Sequence, residues 1–401
     1  MIKFLVIEQD LRVTGTSQGV ISRSFLAKLR MAYPDSVIDV LYLKTEQSED
    51  QLDLLPVNSI ISHVISLKAP FLVKWINRIA RRIFNFSMYD RFVHKSFEKY
   101  IAAVDYQKYD HIFIRSSGLN HETILAAKDL PSLKKAIVNF HDPYPLFWYV
   151  GSKISLSSIE LFRMKKMQQV VEQAKKCMSS ANLMAKDMEF LYGSRKRFHT
   201  LPHQYCESVF DLSDINSIQP KGKKVTLSYH GAIQFGRDLD ILLDSYKEII
   251  ESNYIIKENT EFILRLKSSE FSRLKEKYAT VENIKILPSV NFSNAAYEQK
   301  YITDINVILE NGPLYCNILV GKAPFLAFIN KPVLSISPKR SELREIISDD
   351  KFIADMEDKN EIKHKLKNLI LDRIKSDEPV PPFGDYFSNE SFKIFIDKII
   401  K

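Results

Sequence analysis

The sequence predicts an α/β protein with two Rossmann-like domains, each built on a parallel sheet. Three observations lead to this prediction. The chain has 401 residues, which is more than one ordinary domain of about 100–200 residues contains. Short β-rich runs alternate with helical patterns in two separate series, which is typical of parallel strands joined by crossover helices. A polar stretch over residues 211–224, with Pro220 and Gly222, separates the two series.

The two series define the expected domains. We expect an N-terminal domain at 1–210 and a second domain at 211–385. The amphipathic C-terminal segment 386–401 is expected to be a helix that crosses back towards the first domain. Ligands of such domains bind at the carboxyl ends of the strands, so the residues directly after each strand are the candidates for function.

The first series contains six candidate strands and three clear helical patterns. The predicted strands are Lys3–Ile7, Val37–Leu43, Ile61–Ser66, Asp110–Ile114, Ala136–Phe140 and Lys176–Ser179. The predicted helices are Gly19–Ala32, Ser155–Lys175 and Asn182–Tyr192. Gly193 directly follows the last of these and is a typical helix stop.

The second series contains five candidate strands. They are Lys224–Tyr229, Glu261–Leu266, Asn283–Leu287, Asp304–Leu309 and Pro332–Ile336. The predicted helices of this half, together with the C-terminal one, are Leu239–Glu251, Glu270–Tyr278, Ser341–Ile347 and Asn389–Lys401.

Charge and cysteine content narrow the functional classes. The net charge of +8 favours an anionic partner, such as a phosphorylated substrate, an acidic membrane surface or nucleic acid. The cysteines Cys177, Cys206 and Cys316 are widely spaced and form no CxxC pair, which disfavours a disulfide framework and a structural zinc. The short apolar run Ile2–Ile7 is not a signal peptide, and no stretch is long enough to span a membrane. We therefore expect a cytoplasmic protein, with peripheral attachment to a membrane as a further expectation.

Two loops of the first half carry candidate residues. The polar loop that contains Gly15 follows the first strand and opens a helix, where an anion or sugar hydroxyls could bind; a simple capped turn is the alternative. His141 and Asp142 follow the strand that ends at Phe140, and two prolines then fix the loop. This arrangement suits the binding of sugar hydroxyls or a catalytic role, and a purely structural His-Asp pair is the alternative.

The second half supplies cations at strand ends. Gly231 allows close approach of a ligand to the backbone, and Arg237 in the following loop could clamp a phosphate. Arg265 and Lys267 lie at the end of the next strand. The alternative is that Arg237 and Lys267 are solvated surface charges. Two further candidates for donor binding, Glu310 and Lys322, occur later in this half.

Several segments together resemble bacterial sugar transferases of glycosyltransferase family 4. The run Lys322–Pro338, with its Asn-Lys-Pro-Val-Leu, is similar to a segment of that family, as is Tyr229–Glu248. Met178–Gly193 followed by Leu201-Pro202-His203 resembles the segment that closes the family's first domain. The resemblance covers about residues 175–345 and depends on the order of several motifs.

The resemblance implies a GT-B fold, in which two Rossmann-like domains face a central cleft. It implies an acceptor-binding first domain, a second domain that binds a nucleotide-sugar donor, and hexosyl transfer with retention of configuration. Transfer without a metal ion or a cofactor is a further expectation. Arg237 then matches a cation beside the donor diphosphate, with Lys267 as a second one. His141 falls near the transferred sugar, and Gly15 falls in the first glycine loop.

The sequence departs from the family at its Glu-x7-Glu pair. Counted back from Lys331-Pro332, the two positions hold Asn317 and Phe325, neither of which is acidic. Glu310 is the nearest upstream carboxylate and is out of register. A catalytically inactive GT-B protein that binds sugars or partners is therefore an alternative to an active transferase.

A basic amphipathic segment lies between the third and fourth predicted strands. Within Lys68–Tyr100, apolar residues around Trp75 recur at helical spacing, while basic residues occupy another face. The residues expected at an anionic bilayer surface are Lys74, Trp75, Arg78, Arg81 and Arg82. A helix packed on the domain with a solvated basic edge is the alternative.

The leading hypothesis is sugar transfer from a nucleotide-sugar donor to a glycan or lipid-linked acceptor in bacterial surface polysaccharide synthesis. The inactive binding protein and a sugar epimerase of the same fold are alternatives. Nucleic-acid binding is disfavoured, because the chain has no recognisable module for it and its basic residues concentrate in one helix.

Overall fold

The computed structural model describes residues 1–13, 17–48, 50–145, 155–193 and 195–401. The predicted site residue Gly15 lies outside this part of the chain. The described residues form two compact units. Unit 1 comprises Met1–Phe210 and Ser388–Lys401, and unit 2 comprises Asp211–Phe387. Each unit contains its own parallel sheet, so the predicted α/β class with two Rossmann-like domains is confirmed.

Unit 1 is built on a seven-stranded sheet whose strands all pair in parallel. The strands are β1 (Lys3–Glu8), β2 (Val37–Lys44), β3 (Ser59–Val64), β4 (His111–Arg115), β5 (Ala136–Phe140), β6 (Lys176–Ser179) and β7 (Phe198–Thr200). Their order in the sheet is β3-β2-β1-β4-β5-β6-β7. The order reverses between β1 and β4, which is where ligands of open α/β sheets bind.

The helices of this unit connect its strands. They are α1 (Ser17–Ala32), α2 (Phe71–Phe84), α3 (Met88–Ala102), α4 (Glu122–Ala126), α5 (Ser158–Gln173) and α6 (Asn182–Tyr192). Strands β4 and β5 are buried along almost their whole length and are mainly apolar, as expected for a parallel sheet covered by helices. The sheet core includes Val6, Phe113 and Val138, which are fully buried.

Unit 2 contains a six-stranded parallel sheet and a short two-stranded one. The strands are β8 (Val225–Ala232), β9 (Thr260–Lys267), β10 (Ile284–Pro288), β11 (Ile305–Leu309), β12 (Tyr315–Cys316), β13 (Val333–Ser337), β14 (Arg340–Ser341) and β15 (Ile353–Asp355). The main order is β10-β9-β8-β11-β13-β15, and β12 pairs with β14. Here the order reverses between β8 and β11.

The helices of unit 2 surround this sheet. They are α7 (Asp240–Ser252), α8 (Tyr254–Asn259), α9 (Phe271–Lys277), α10 (Phe292–Tyr297), α11 (Ala323–Phe328), α12 (Glu342–Ile346) and α13 (Lys359–Lys375). The stretch 211–224, predicted as a linker, contains no helix or strand. It is fastened to unit 2, because the Gly222 amide donates to Glu261 Oε1 at 2.6 Å and Lys221 pairs with Asp304 at 2.7 Å.

The C-terminal helix α14 (Asn389–Ile400) belongs to unit 1. Phe392 packs edge-on against Phe25 of α1, with ring centroids 6.1 Å apart. Lys28 of α1 donates a hydrogen bond to Asn389, and the Tyr33 hydroxyl donates to Asp397. Unit 1 is therefore assembled from two separate stretches of the chain. Among the described helices, none is long and apolar enough to cross a bilayer.

Candidate functional site

The carboxyl edge of the unit 2 sheet brings together the loops after β8 and β11. The Gly312 amide donates to the Phe235 carbonyl oxygen at 3.0 Å. Gly236 has φ +79°, and a Cβ there would clash with the carbonyl of Gly312. Only glycine combines this left-handed backbone with such close contact. The two loops are therefore held against each other at the point where the strand order reverses.

Lys322 and Gly231 form the centre of this edge. Lys322 precedes α11, and its Nζ donates to the His230 carbonyl oxygen and lies 4.6 Å from the ring centroid of Tyr229. A Cβ at Gly231 would lie 3.1 Å from the Lys322 Nζ. The absence of a side chain at Gly231 thus makes room for the ammonium group.

Arg237 supplies a second positive charge next to Lys322. Its Nη1 donates to the Ala232 carbonyl oxygen at 3.0 Å, and its Nε has no hydrogen-bond partner among the described residues. Burial, together with the charge of Arg237, lowers the pKa of Lys322 to about 7. In the part of the chain that the structure describes, neither cation forms an ion pair. Two neighbouring cations without a carboxylate favour the binding of an anion.

Glu310 directly follows β11 and is fully buried at the same edge. Neither of its carboxyl oxygens is hydrogen-bonded within the described residues. Burial raises the pKa of Glu310 to about 7, although the nearby hydroxyls of Ser341 and Ser337 lower it. Near neutral pH the group is thus divided between its acid and carboxylate forms and can donate a hydrogen bond as the acid.

The two cations predicted at the end of the second strand of this half, Arg265 and Lys267, have different surroundings. Arg265 is buried in β9, forms an ion pair with Glu298 and donates to the Ser217 carbonyl oxygen at 3.0 Å. Its guanidinium is therefore bonded to other residues of unit 2. Lys267 ends β9, pairs in register with Ala232, and is exposed.

The two positions that the sequence resemblance aligned with a Glu-x7-Glu pair are both buried. Phe325 lies in α11 and packs edge-on against Phe292, with ring centroids 6.3 Å apart. Asn317 follows β12 and is also buried. An aromatic side chain in apolar packing thus occupies the second position, where a carboxylate would be costly to bury.

At the carboxyl edge of the unit 1 sheet, His141 lines a small pocket of mixed polar and apolar side chains. Its Nε2 is 3.3 Å from the Asn139 amide nitrogen, and its ring stacks on His203 with centroids 5.7 Å apart. Burial and then the charge of Arg115 lower the pKa of His141 well below its usual range, so its imidazole is neutral. Asn139 Oδ1, His141 Nδ1 and Gln204 Oε1 have no hydrogen-bond partners among the described residues. These three atoms line one small cavity, where a single hydroxyl group or water molecule could bond to them.

Asp142 directly follows His141 in the chain and is half-buried. Burial raises its pKa to about 6. Asn139, His203 and Gln204 were not among the predicted site residues. In the sequence, His203 stood out only as part of the Leu201-Pro202-His203 segment. The direction of the Asn139 side chain follows from the alternation of side chains along strand β5.

A buried ion pair joins the two central strands of unit 1. Arg115 at the end of β4 pairs with Glu8 at the end of β1, and the guanidinium carbon of Arg115 lies 4.0 Å from the centroid of the Phe25 ring. Arg115 also lines the His141 pocket. Because Glu8 balances its charge, the pocket contains neutral hydrogen-bonding groups rather than a free cation. In the sequence, Arg115 was marked only by its position as a charged residue at the end of an apolar strand.

The predicted membrane-surface residues lie together on α2. Lys74, Trp75, Arg78, Arg81 and Arg82 are all exposed on this helix of unit 1. Among the described residues there is no group of three or more His, Cys, Asp or Glu side chains that could hold a metal ion.

No protein-family model and no curated protein matches the sequence. Solved structures do match over the whole chain. Sucrose-phosphate synthase from Thermosynechococcus elongatus has a TM-score of 0.60 at 11% identity, over 100% of this chain and 98% of that one. A TarM variant from S. aureus, solved with Fondaparinux, alpha-GlcNAc-glycerol and UDP, has a TM-score of 0.62 at 10% identity over 100% of both chains.

A UDP-N-acetylglucosamine 2-epimerase is also similar, with a TM-score of 0.58 at 12% identity, over 100% of this chain and 96% of that one. At such identities the similarity shows the fold alone. The chain has the GT-B fold, which transferases and epimerases share.

Proposed function

We propose, from the GT-B fold and the two cations at the carboxyl edge of unit 2, that this protein is a glycosyltransferase. It would move a hexosyl group from a nucleotide-sugar donor to a glycan or lipid-linked acceptor in bacterial surface polysaccharide synthesis. The observation that carries the proposal is the cluster of Gly231, Arg237 and Lys322, in which neither cation is paired with a carboxylate among the described residues.

The diphosphate of the donor would bind to this cluster. The Nε of Arg237 has no hydrogen-bond partner among the described residues and would bind the diphosphate. Lys322 would contribute its ammonium group, and Gly231 would let the diphosphate approach the backbone. Lys267, exposed at the end of β9, would be a further contact. Glu310 in its acid form would donate a hydrogen bond to the donor. Arg265 takes no part, because Glu298 occupies its guanidinium.

The transfer itself needs charge stabilisation above all. The bond between the anomeric carbon and the diphosphate oxygen breaks, and a bond from that carbon to the acceptor oxygen forms. Arg237 and Lys322 would stabilise the negative charge that develops on the leaving diphosphate. For a reaction that retains configuration, as the resemblance implies, the leaving phosphate would accept the proton of the acceptor hydroxyl. Such a reaction requires no metal ion and no dedicated base from the protein.

In unit 1, His141 and Asp142 would contact the sugar substrates. Support comes from the neutral imidazole of His141 and the unpaired oxygens of Asn139 and Gln204, which can accept hydrogen bonds from hydroxyls. The proposal includes a cytoplasmic location at the inner face of the membrane. The exposed basic residues of α2 support contact with an anionic surface.

The first test is a binding screen. Purified protein is mixed with UDP-, GDP-, ADP- and CMP-sugars, and thermal unfolding is followed for the wild type and for Arg237→Ala. We expect one nucleotide class to raise the melting temperature of the wild type, and the variant to lose that shift. The matched control is Arg273→Ala, which removes an exposed arginine of α9 that pairs with Asp240.

Turnover then separates the alternatives. Sugar transfer with nucleotide release supports the proposal, whereas binding without turnover would identify an inactive GT-B protein. Conversion of the nucleotide sugar to an epimer without any acceptor would identify an epimerase. No shift with any donor, from well-folded protein, would contradict the proposed donor site.

A further inference from the structure

Helix α2 of unit 1 leaves most of its large apolar side chains exposed. Phe71, Trp75 and Ile83 are 81%, 53% and 63% exposed, and Leu72 and Ile79 are exposed as well. These residues are three or four positions apart, so they share one face of the helix. Ala80 is the one buried residue of the fourteen in α2. A contiguous exposed apolar face of this kind is unusual for a surface that meets only water.

A stripe of positive charge lies beside this face. Lys74, Arg78, Arg81 and Arg82 are exposed, and α2 contains no acidic residue. None of these four cations forms an ion pair within the described residues. The helix therefore combines an unpaired basic stripe with an apolar face that includes a tryptophan.

The helix is held in place by its neighbours. The Asn77 side chain accepts a hydrogen bond from the Tyr89 amide at 3.1 Å, and the Tyr89 hydroxyl donates to the Leu67 carbonyl oxygen at 3.1 Å. Beyond its C-terminal end, Phe86 packs against Phe162 of α5, with ring centroids 5.5 Å apart. The apolar face is thus already formed and fixed in the folded protein, and its docking requires little ordering of the chain.

We propose that α2 docks unit 1 on an anionic lipid bilayer. The helix would lie in the plane of the membrane surface, with Trp75, Ile79 and Ile83 among the acyl chains and its cations at the lipid phosphates. A second copy of the chain is a poorer partner, because pairing two α2 helices would bring their basic stripes together. A bilayer offers acyl chains to the apolar face and anionic headgroups to the basic stripe. The aromatic ring of Trp75 lies at the boundary between the face and the stripe, which suits the membrane interface.

This inference extends the proposed function. If sugar transfer is the activity, docking through α2 assigns the acceptor to the lipid-linked class, because the protein is held where such an acceptor lies. Docking itself can be measured without donor or acceptor, so its failure and the failure of the proposed function are distinguishable.

The test is binding of the full-length protein to vesicles. Co-sedimentation is measured with equal parts of phosphatidylglycerol and phosphatidylcholine, and with phosphatidylcholine alone. We expect binding to the anionic vesicles that weakens at high salt, and little binding to the neutral ones. The chain has two tryptophans, so a Trp148→Phe background leaves Trp75 as the single reporter. Its fluorescence should shift to shorter wavelength when anionic vesicles are added.

Two double variants separate charge from insertion. Arg78→Gln with Arg82→Gln should weaken binding by about 25-fold, at about fivefold for each cation removed. Ile79→Ser with Ile83→Ser should weaken vesicle binding by at least about tenfold, and the salt dependence of binding should stay unchanged. The charge-matched control, Lys257→Gln with Lys375→Gln, changes two exposed lysines of unit 2 and should bind as the wild type does. All four side chains of the test variants are exposed, so the fold should persist, which circular dichroism would verify.

Three results would overturn the inference. The first is failure of the wild-type protein to bind anionic vesicles. The second is equal weakening by the unit 2 control and the charge variant, which would show that total charge alone drives binding. The third is a dimer in analytical ultracentrifugation that the Ile79/Ile83 variant abolishes, together with no vesicle binding, since a second copy would then cover the helix.

Discussion

At the scale of single residues, the proposed donor site predicts a pH dependence of binding. Lys322 has a pKa lowered to about 7 in the free protein. A bound diphosphate favours the charged ammonium and raises this pKa. Affinity should therefore be highest below pH 7 and fall by up to about tenfold per pH unit as the pH rises above it. Calorimetric titration at pH 6.5, 7.5 and 8.5 would measure this.

The ligand for that titration should be a nucleotide sugar, whose diphosphate is esterified at both ends and does not titrate in this range. Lys322→Met should bind more weakly and lose the slope. Arg237→Ala should also bind more weakly but keep a slope that begins at higher pH, because the charge of Arg237 helps to lower the pKa of Lys322. An affinity that stays constant with pH in the wild type would exclude Lys322 from contact with the diphosphate.

Glu310 predicts a second pH effect, on stability. Its pKa rises from 4.5 to about 7 because it is buried. Between these values the folded state holds a proton that the unfolded state lacks, so the free energy of unfolding falls as the pH rises. Glu310→Gln has no group that titrates at this position, so its free energy of unfolding should not fall in this way as the pH rises. From pH 5 to pH 8 the variant should gain on the order of 1–3 kcal/mol relative to the wild type.

Urea denaturation at the two pH values would measure the Glu310 effect. The exposed Glu357 provides a control, since Glu357→Gln should leave the pH dependence of stability unchanged. Parallel stability curves for wild type and Glu310→Gln would contradict a buried, protonated carboxyl at this position.

At the scale of elements, α14 should be essential to unit 1 because it completes the packing of α1. Phe392 is 1% exposed and packs on Phe25. Phe392→Ala should lower the free energy of unfolding by about 3–5 kcal/mol, through lost burial and the cavity that remains. Chemical denaturation followed by circular dichroism would measure it.

The same helix supplies the matched control. Ile394 is 55% exposed, and Ile394→Ala should change stability by less than about 0.5 kcal/mol. Equal effects of the two substitutions would mean that α14 does not dock through Phe392.

At the scale of the whole molecule, each unit has its own sheet, and the donor cluster lies entirely in unit 2. A fragment of residues 211–387 should therefore fold alone and unfold cooperatively. The nucleotide that stabilises the full chain should raise the melting temperature of the fragment, and Arg237→Ala in the fragment should abolish that shift. A folded fragment without the shift, beside a full chain that shows it, would contradict a donor site contained in unit 2.

Much of the fold could be predicted because burial in a parallel sheet follows local patterns. The strands Ala136–Phe140 and Lys176–Ser179 and the helix Asn182–Tyr192 were predicted with the bounds that the structure has. Other elements differ at their ends by one to three residues, where local signals are weakest. The three-residue strands Phe198–Thr200 and Ile353–Asp355 were missed, because so short a run carries no periodicity.

The interruption between α2 and α3 was also missed. The basic segment was predicted as one stretch from Lys68 to Tyr100, whereas the structure ends α2 at Phe84 and turns at Asn85, which has φ +51°. Asparagine adopts the left-handed region more readily than most residues, but nothing else in the sequence marks this turn.

The roles of the cations required the tertiary structure. Arg237 and Arg265 are alike in sequence, since each lies at or just after a strand of the second half. Arg265 has an ion pair with Glu298, whereas the Nε of Arg237, beside Lys322, has no partner in the described part of the chain. The local pattern of apolar residues fixes strands, helices and their order, because burial on a sheet repeats along the chain. Which charges stay unpaired depends on contacts between residues far apart in the chain, and only the folded arrangement decides them.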